Sequence, residues 1–406
     1  MLRERDSIMK NILVLNRINY KHYLREGQPI LNPTEYKVFF FTKKEKIYDI
    51  PKNHVAEIYA TDINNDEILF EIANIVHKHN PINHVISLSE RTMCIAGKLR
   101  DLFGCPGLSY EQTLKFRDKY IMKKALVGSG INLPAFQIPT CIEDIVNFLN
   151  IYGSIILKPR LGMGSQNTYK LNNISEIIDV TSREGFHFED YIMEEFIDGD
   201  MYHCDSIVQG NKVIVSSASK YLNSTMSYQK ECYLASVMDD SENSVAIKEL
   251  NEKVIKTLGL DNGVTHLEVF RKKDGSIYFC EIAARIGGAG VVPSFKASYS
   301  ISLIDAAICL EVGMDLPEIR FTGDISGWIV FHSKKGIVRS VADVSLFNKK
   351  WIKEFRINAK KGDFLSGSKF SSDSIASFII TGNNSKEVEE RIEWIKQNFF
   401  IEYDEV

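Results

Sequence analysis

Residues 265–290 read Thr265-His-Leu-Glu268-Val-Phe-Arg-Lys-Lys-Asp274-Gly275-Ser-Ile-Tyr-Phe-Cys-Glu281-Ile-Ala-Ala-Arg285-Ile-Gly-Gly-Ala-Gly290. Two runs rich in β-branched and aromatic residues flank the turn dipeptide Asp274-Gly275, which predicts an antiparallel hairpin. Glu268 sits on the first strand and Glu281 closes the second, so the hairpin brings both carboxylates together at its base. An acid in an apolar strand needs a partner, and two adjacent carboxylates repel unless a cation lies between them. Hard Mg²⁺ carrying phosphate oxygens suits that position, because it uses few protein carboxylates; Mn²⁺ is an alternative ion. Arg285 is then placed to counter charge developing at a reacting carbonyl or phosphoryl group, with the Gly287 and Gly288 N–H groups facing substrate. The glycine cluster shows no packing purpose in the sequence, which favours that reading over a surface hairpin with a salt-bridged arginine. His266 shares the face of Glu268. A substrate contact is one reading of it, and a satisfied histidine between strands is the other.

Upstream, an apolar strand at 155–157 ends in Lys158, and Pro-Arg-Leu-Gly162-Met-Gly164-Ser165-Gln-Asn-Thr168 follows. Gly162 and Gly164 let backbone N–H groups approach phosphate oxygens, Ser165 and Asn167 add side-chain donors, and Lys158 adds one positive charge. The loop lacks the Gly-Lys-Ser/Thr of a Walker A motif, and it is not a GxGxxG opening a helix. A tight glycine turn is the alternative. Residues 191–200, Tyr-Ile-Met-Glu194-Glu195-Phe196-Ile197-Asp-Gly-Asp200, run from a strand into an acidic turn. Backbone groups of Glu195 to Ile197 are suited to an adenine edge and Asp200 to ribose hydroxyls; an ordinary acidic turn is the alternative.

Around these motifs the texture changes twice. Toward the N-terminus, strands at 11–15, 37–41 and 83–88 alternate with a helix over 66–79 that carries Ile68, Leu69, Ile72, Ile75 and Val76 on one face. That order predicts a parallel, doubly wound, Rossmann-like sheet, whose ligands sit beyond the carboxyl ends of its strands. Ser87-Leu-Ser-Glu90-Arg91 occupies such an end. The middle is rich in strands joined by turns at Gly210-Asn211 and Asp274-Gly275. It also contains a helix over 244–258 with Val245, Leu250, Val254 and Leu258 expected on its buried side. After about residue 320, strands near 328–331 and 377–380 and a helix over 386–397 predict a small α+β domain. The expected division is 1–110, 111–320 and 321–406, an α/β and α+β multidomain chain.

At 406 residues the chain is well above the size at which a core becomes marginal. A net charge of −4 argues against a broad nucleic-acid footprint. The seven cysteines form no CxxC pair and fit reduced core thiols in a cytoplasmic protein. His77-x-His79 has no Cys or carboxylate cluster nearby, so no metal is expected there. The N-terminus carries acids and lacks an apolar stretch, unlike a signal peptide. Met9 is an alternative start. Gly128, Gly130, Pro134 and Pro139 interrupt the longest uncharged run, so no membrane span is expected.

In this order the motifs resemble the ATP-grasp superfamily over nearly the whole chain. Gly104-Cys-Pro-Gly107, Arg117-Asp118-Lys119 and Gly130-Ile-Asn-Leu-Pro134 look like that family's entry segment. The resemblance implies that Lys119 and Lys158 hold ATP phosphates under the loop from Gly162 to Thr168. It implies that Glu194, Glu195, Phe196 and Ile197 cradle adenine, that Asp200 binds ribose, and that Glu268 and Glu281 bind Mg²⁺. One position departs: the family often has Asn two residues after the second acid, here Ala283, which leaves one versus two Mg²⁺ open. Glu281-Ile-Ala-Ala-Arg285 is similar to L-amino acid ligases of the alanine–anticapsin ligase type. In that branch an acid at the end of an N-terminal-domain strand can face the substrate amine, here Glu90, for which a helix N-terminal acid is the alternative. The implied activity is an ATP-dependent carboxylate–amine ligase working through an acyl phosphate and releasing ADP and phosphate. Its expected partners are a small-molecule carboxylate and amine, amino acids being the expected class. No nucleic acid or membrane is expected, and a homodimer is an allowed assembly. Acylation of a carrier-protein thiol or protein amine, and a non-catalytic ATP-binding regulatory protein, are the alternatives. The segment 220–233, with Tyr202 and His203, is expected to border the acceptor site.

Overall fold

The computed structural model describes residues 9–226, 231–368 and 373–404. Strands Glu57–Ala60, Tyr36–Thr42, Lys10–Leu15 and His84–Ile86 lie side by side in that order, all parallel. Ile12, Leu13, Val14, Phe39, Phe40 and Phe41 are fully buried, so both faces of this sheet are covered and its strands read as continuous apolar runs. Helix Asp66–His79 begins where expected: the Asn65 side chain caps the Ile68 amide, and Asp66 and Glu67 sit in the first turn. Its buried stripe is narrower than the periodicity suggests, with Leu69, Ala73 and Val76 inside and Ile68 and Ile75 exposed. His77 stacks on Phe103 at 4.0 Å and accepts from the Ile82 amide, a packing role.

A second, antiparallel sheet orders Phe136–Gln137, Tyr191–Glu195, Ile155–Pro159 and Tyr169–Leu171. Helices Ile142–Tyr152 and Ile174–Thr181 bury Ile145, Leu149, Ile177 and Val180 in its core.

The third sheet has eight strands, in the order Ile277–Ala283, Gly263–Arg271, Asp200–Gln209, Lys212–Tyr221, Tyr233–Met238, Ile325–Phe331, Ala376–Gly382 and Ile352–Ile357. Gly210 and Asn211 both take positive φ, +58° and +63°, as a two-residue hairpin turn requires. The last three strands come from beyond residue 320, so the sheet runs across that expected boundary without a break. Buried side chains from all three segments, among them Val14, Ile304 and Phe378, belong to one hydrophobic cluster. Among the described residues of the C-terminal segment, Phe364–Ser366, Lys335–Val341 and Ile401–Asp404 form a separate three-stranded sheet.

Helix Glu242–Leu258 packs by Ile247, Asn251, Val254 and Leu258, and Val245 is exposed, contrary to expectation. The polar Asn251 sits on the inner face because it donates to Ser206 Oγ at 2.7 Å, which satisfies its amide nitrogen. No helix among the described residues is long and apolar enough to cross a membrane.

Candidate active site

A cavity of about 350 Å³ opens between the four-stranded sheet and the outer strands of the eight-stranded one. Lys119, Lys158, Gly162, Gly164, Ser165, Glu194, Glu195, Phe196, Ile197, Asp200, Glu268 and Glu281 all line it. Arg285, Gly287, Gly288, Glu90 and His266 are not among its lining residues.

The hairpin pairs Glu268 directly with Glu281. Val269 then pairs with Phe279, so Cys280 is an extra residue, a β-bulge at the base of the hairpin. Ligand atoms of Glu268, Cys280 and Glu281 lie within 4.8 Å of one another. A lysine stands where a cation is needed: Lys119 Nζ is 3.2 Å from Glu281 Oε2 and 2.9 Å from the Gly162 carbonyl. Burial alone would raise the Glu281 carboxyl, but the Lys119 and Lys158 ammonium groups outweigh it and hold it at about 2. Two carboxylate ligands with cationic neighbours fit a hard divalent ion bearing phosphate oxygens. Lys119 is the first residue of helix Lys119–Leu126, whose cap Asp118 accepts from the Tyr120 and Ile121 amides and pairs with Arg160 at 2.6 Å.

Lys158 does not stand alone. Its ammonium is 3.1 Å from Glu194 Oε2, and Lys123 Nζ is 2.9 Å from Glu194 Oε1. Lys123 also donates to the Cys280 carbonyl at 2.5 Å and is 0% exposed. Burial pushes the Glu194 carboxyl up, but Lys123 and Lys158 together keep it below its ordinary value. Sequence reasoning passed over Lys123. The signal was available, because Lys119 and Lys123 are four apart and share a helix face.

At the hinge, the turn where strand Tyr191–Glu195 ends, the Glu195 amide donates to the Ala135 carbonyl and the Phe196 amide to the Ser154 carbonyl. That leaves the Ile197 amide as the remaining candidate donor to an adenine edge. Lys170 Nζ lies 3.5 Å from the Phe196 ring centroid. Asp200 is exposed and paired with Lys220 at 2.7 Å. The glycine loop is left-handed at Gly164, Ser165 and Asn167. That conformation is uncommon for the last two residue types. Arg117 holds the start of the loop by the Leu161 and Gly162 carbonyls.

Arg117 also reaches Glu90 Oε1 at 3.2 Å, while Arg285 grips Glu90 Oε2 through Nε at 3.0 Å and Nη2 at 2.5 Å. Both Glu90 oxygens therefore face guanidinium groups, and a substrate ammonium reaches this acid only as a further cation. Burial would raise the Glu90 carboxyl, and Arg285, Lys119 and Arg117 bring it below its ordinary value.

The glycine cluster does have a packing purpose. A Cβ on Gly287 would lie 2.6 Å from Val291 Cγ1 and 2.8 Å from His266 Nδ1. One on Gly290 would lie 2.4 Å from Cβ of the buried Trp328. Gly290→Ala is therefore expected to destabilise the fold by at least ~1–3 kcal/mol, measured by denaturant titration. A loss within a few tenths of a kcal/mol would contradict the tight packing.

The segment at 220–226 contributes Tyr221, Leu222, Asn223, Ser224, Thr225 and Met226 to the cavity wall, and residues 227–230 lie outside the described residues. His203 is buried beneath the wall, between Asp205 and Ser236.

Residues 151–292 match the ATP-grasp domain family. The chain is 26% identical over 340 residues to an L-arginine-specific L-amino acid ligase of Bacillus subtilis, covering 81% of this chain and 82% of that protein. The L-amino acid ligase of Bacillus licheniformis superposes over 98% of this chain and 99% of its own, with a TM-score of 0.79 at 19% identity. The chain has the ATP-grasp fold. Another similar solved structure is the biotin carboxylase domain dimer of the Hydrogenobacter thermophilus 2-oxoglutarate carboxylase, in complex with MgADP, ADP and bicarbonate. It matches 97% of this chain and 91% of that one, with a TM-score of 0.70 at 15% identity. The cavity lies between the smaller antiparallel sheet, which carries Glu194 and Glu195, and the larger sheet, which carries the paired glutamates.

Proposed function

We propose that this chain is an ATP-dependent carboxylate–amine ligase. A substrate carboxylate oxygen attacks the γ-phosphorus of ATP, the bond to the β-phosphate oxygen breaks, and ADP leaves. An amine then attacks the acyl carbon, phosphate departs, and the amine nitrogen loses a proton. The observation that carries this reading is the Glu268–Glu281 pair beside Lys119, in a cavity walled by the glycine loop and the hinge. When bound, Mg²⁺ neutralises phosphate charge during the transfer.

Glu268 and Glu281 hold that ion in this reading. Lys119 and Lys158 draw the phosphates into place, with Gly162, Gly164 and Ser165 covering them. Ile197 and its hinge neighbours take the adenine and Asp200 the ribose. Lys119 exchanges its contact with Glu281 for a phosphate oxygen. Arg285, with the Gly287 and Gly288 N–H groups, stabilises the oxyanion formed when the amine attacks. Glu90 orients Arg285 through two hydrogen bonds. Closure of the loop excludes water from the acyl phosphate. We assign amino acids as substrates because the similarity to amino acid ligases extends over most of the chain.

Incubation with ATP, Mg²⁺ and pooled amino acids is expected to yield ADP, phosphate and a dipeptide mass. Formation of AMP and pyrophosphate would overturn the mechanism. ATP consumption only in the presence of a carrier-protein thiol would replace the amine as acceptor.

A further inference from the structure

A row of buried polar side chains runs across four neighbouring strands and ends on Glu268. Ser236 Oγ meets His203 Nε2 at 2.8 Å, and His203 Nδ1 meets Asp205 Oδ2 at 2.6 Å. Asp205 Oδ1 meets His266 Nδ1 at 2.8 Å, and His266 Nε2 faces Glu268 Oε1 at 3.5 Å. Tyr221 donates to the same oxygen, Glu268 Oε1, at 3.2 Å. Strand register sets the row: Asp205 lies opposite His266, and Tyr221 lies opposite Ser236.

Nothing in the proposed reaction uses Ser236, His203 or Asp205, and none of them lines the cavity. Buried polar groups of this kind add little stability over apolar residues of the same shape. Their common feature is where they lead. Both contacts to Glu268 fall on Oε1, which leaves Oε2 as the oxygen available to an ion.

We propose that Tyr221, His266, Asp205 and His203 form the outer shell of the ATP-linked divalent cation site, holding Glu268 by Oε1 so that it presents Oε2 as a single-oxygen ligand. This rests on the ligase reading above. Tyr221 and His266 are positioning residues that act through Glu268. Asp205 sets the ring orientation of His266, and His203, itself held by Ser236, fixes Asp205. Metal-ligating side chains lose about 10–100-fold in ion affinity when such supports are removed.

The test is Mn²⁺ binding followed by electron paramagnetic resonance, in full-length protein with a non-hydrolysable ATP analogue. Analogue affinity without metal and thermal unfolding are measured alongside. Tyr221→Phe keeps the ring and removes only the donor. It is expected to weaken Mn²⁺ binding about tenfold or more, well beyond any change in metal-free analogue affinity that its place in the cavity wall brings. Asp205→Asn is expected to weaken Mn²⁺ binding to a similar degree. If that variant fails to fold, His203→Gln probes the same link one residue further from Glu268. Mn²⁺ affinities within about twofold of wild type in Tyr221→Phe and in the folded member of the other two, with binding lost in Glu268→Gln, would overturn the outer shell and leave the ligase reading standing. Wild-type protein that binds no Mn²⁺ with the analogue would remove both. A stoichiometric metal found without nucleotide and lost in His203→Gln would show that His203, Asp205 and His266 hold an ion themselves, overturning this inference alone.

Discussion

Replacing Lys123 with methionine is expected to lower folding stability by about 3–5 kcal/mol, the usual effect of removing one partner from a buried ion pair. Lys123 is fully buried, pairs with the Glu194 carboxylate, donates to the Cys280 carbonyl and lies 5.4 Å from the Phe279 ring centroid. The substitution leaves Glu194 buried with Lys158 alone and strips the Cys280 carbonyl of its ammonium donor. It also loosens a junction of four elements: helix Lys119–Leu126 and strands Ile155–Pro159, Tyr191–Glu195 and Ile277–Ala283. A denaturant titration measures the loss, and a change below about 1 kcal/mol would show that the pair carries little charge. The pH dependence has a definite sign. Glu194 is held below its ordinary value, so its contribution is complete above the unfolded carboxyl value, near ~4.3, and is lost as pH falls through the folded value. Without Lys123 the folded value rises toward the unfolded one, and acid unfolding should begin at a higher pH than in wild type.

Arg285→Ala is expected to reduce turnover by about 10²–10³-fold, as for loss of one preorganised oxyanion donor, with affinity for an ATP analogue largely retained. Arg285 lies outside the nucleotide cavity lining but beside it, and Glu90 holds its guanidinium by both Nε and Nη2. Lysine cannot reproduce that two-point grip. Arg285→Lys should therefore recover little activity despite keeping the charge. Glu90→Gln should fall between wild type and Arg285→Ala, since it loosens the arginine without removing it. Turnover of Arg285→Ala within a few-fold of wild type would remove the residue from the chemistry.

Much of this was legible in the chain itself. The Asp274-Gly275 turn and the period of two along its flanking strands put Glu268 opposite Glu281. The apolar periodicity over 66–79 marked the helix Asp66–His79. The motifs from Lys119 to Glu281 named a set of residues that do share one cavity. These are short-range properties of turns and side-chain periodicity, and neighbouring residues suffice to define them.

Tertiary structure decided the rest. Three strands from beyond residue 320 extend the central sheet, because the free edge of strand Tyr233–Met238 is completed by a segment about ninety positions later, Ile325–Phe331. The glycine cluster at 287–290 shows no packing purpose in the sequence, but a Cβ on Gly287 would meet Val291 and His266, and one on Gly290 would meet Trp328. Glu90 reads as a lone helix-end acid until Arg117 and Arg285, the latter 195 positions away, close on its two oxygens. Lys123 reads as one of three lysines on a short helix until that helix packs against Glu194 and the Cys280 carbonyl. In each case the partner is distant in sequence. Local pattern sets which face a side chain takes; only the meeting of remote segments sets what it faces and whether its charge is paired.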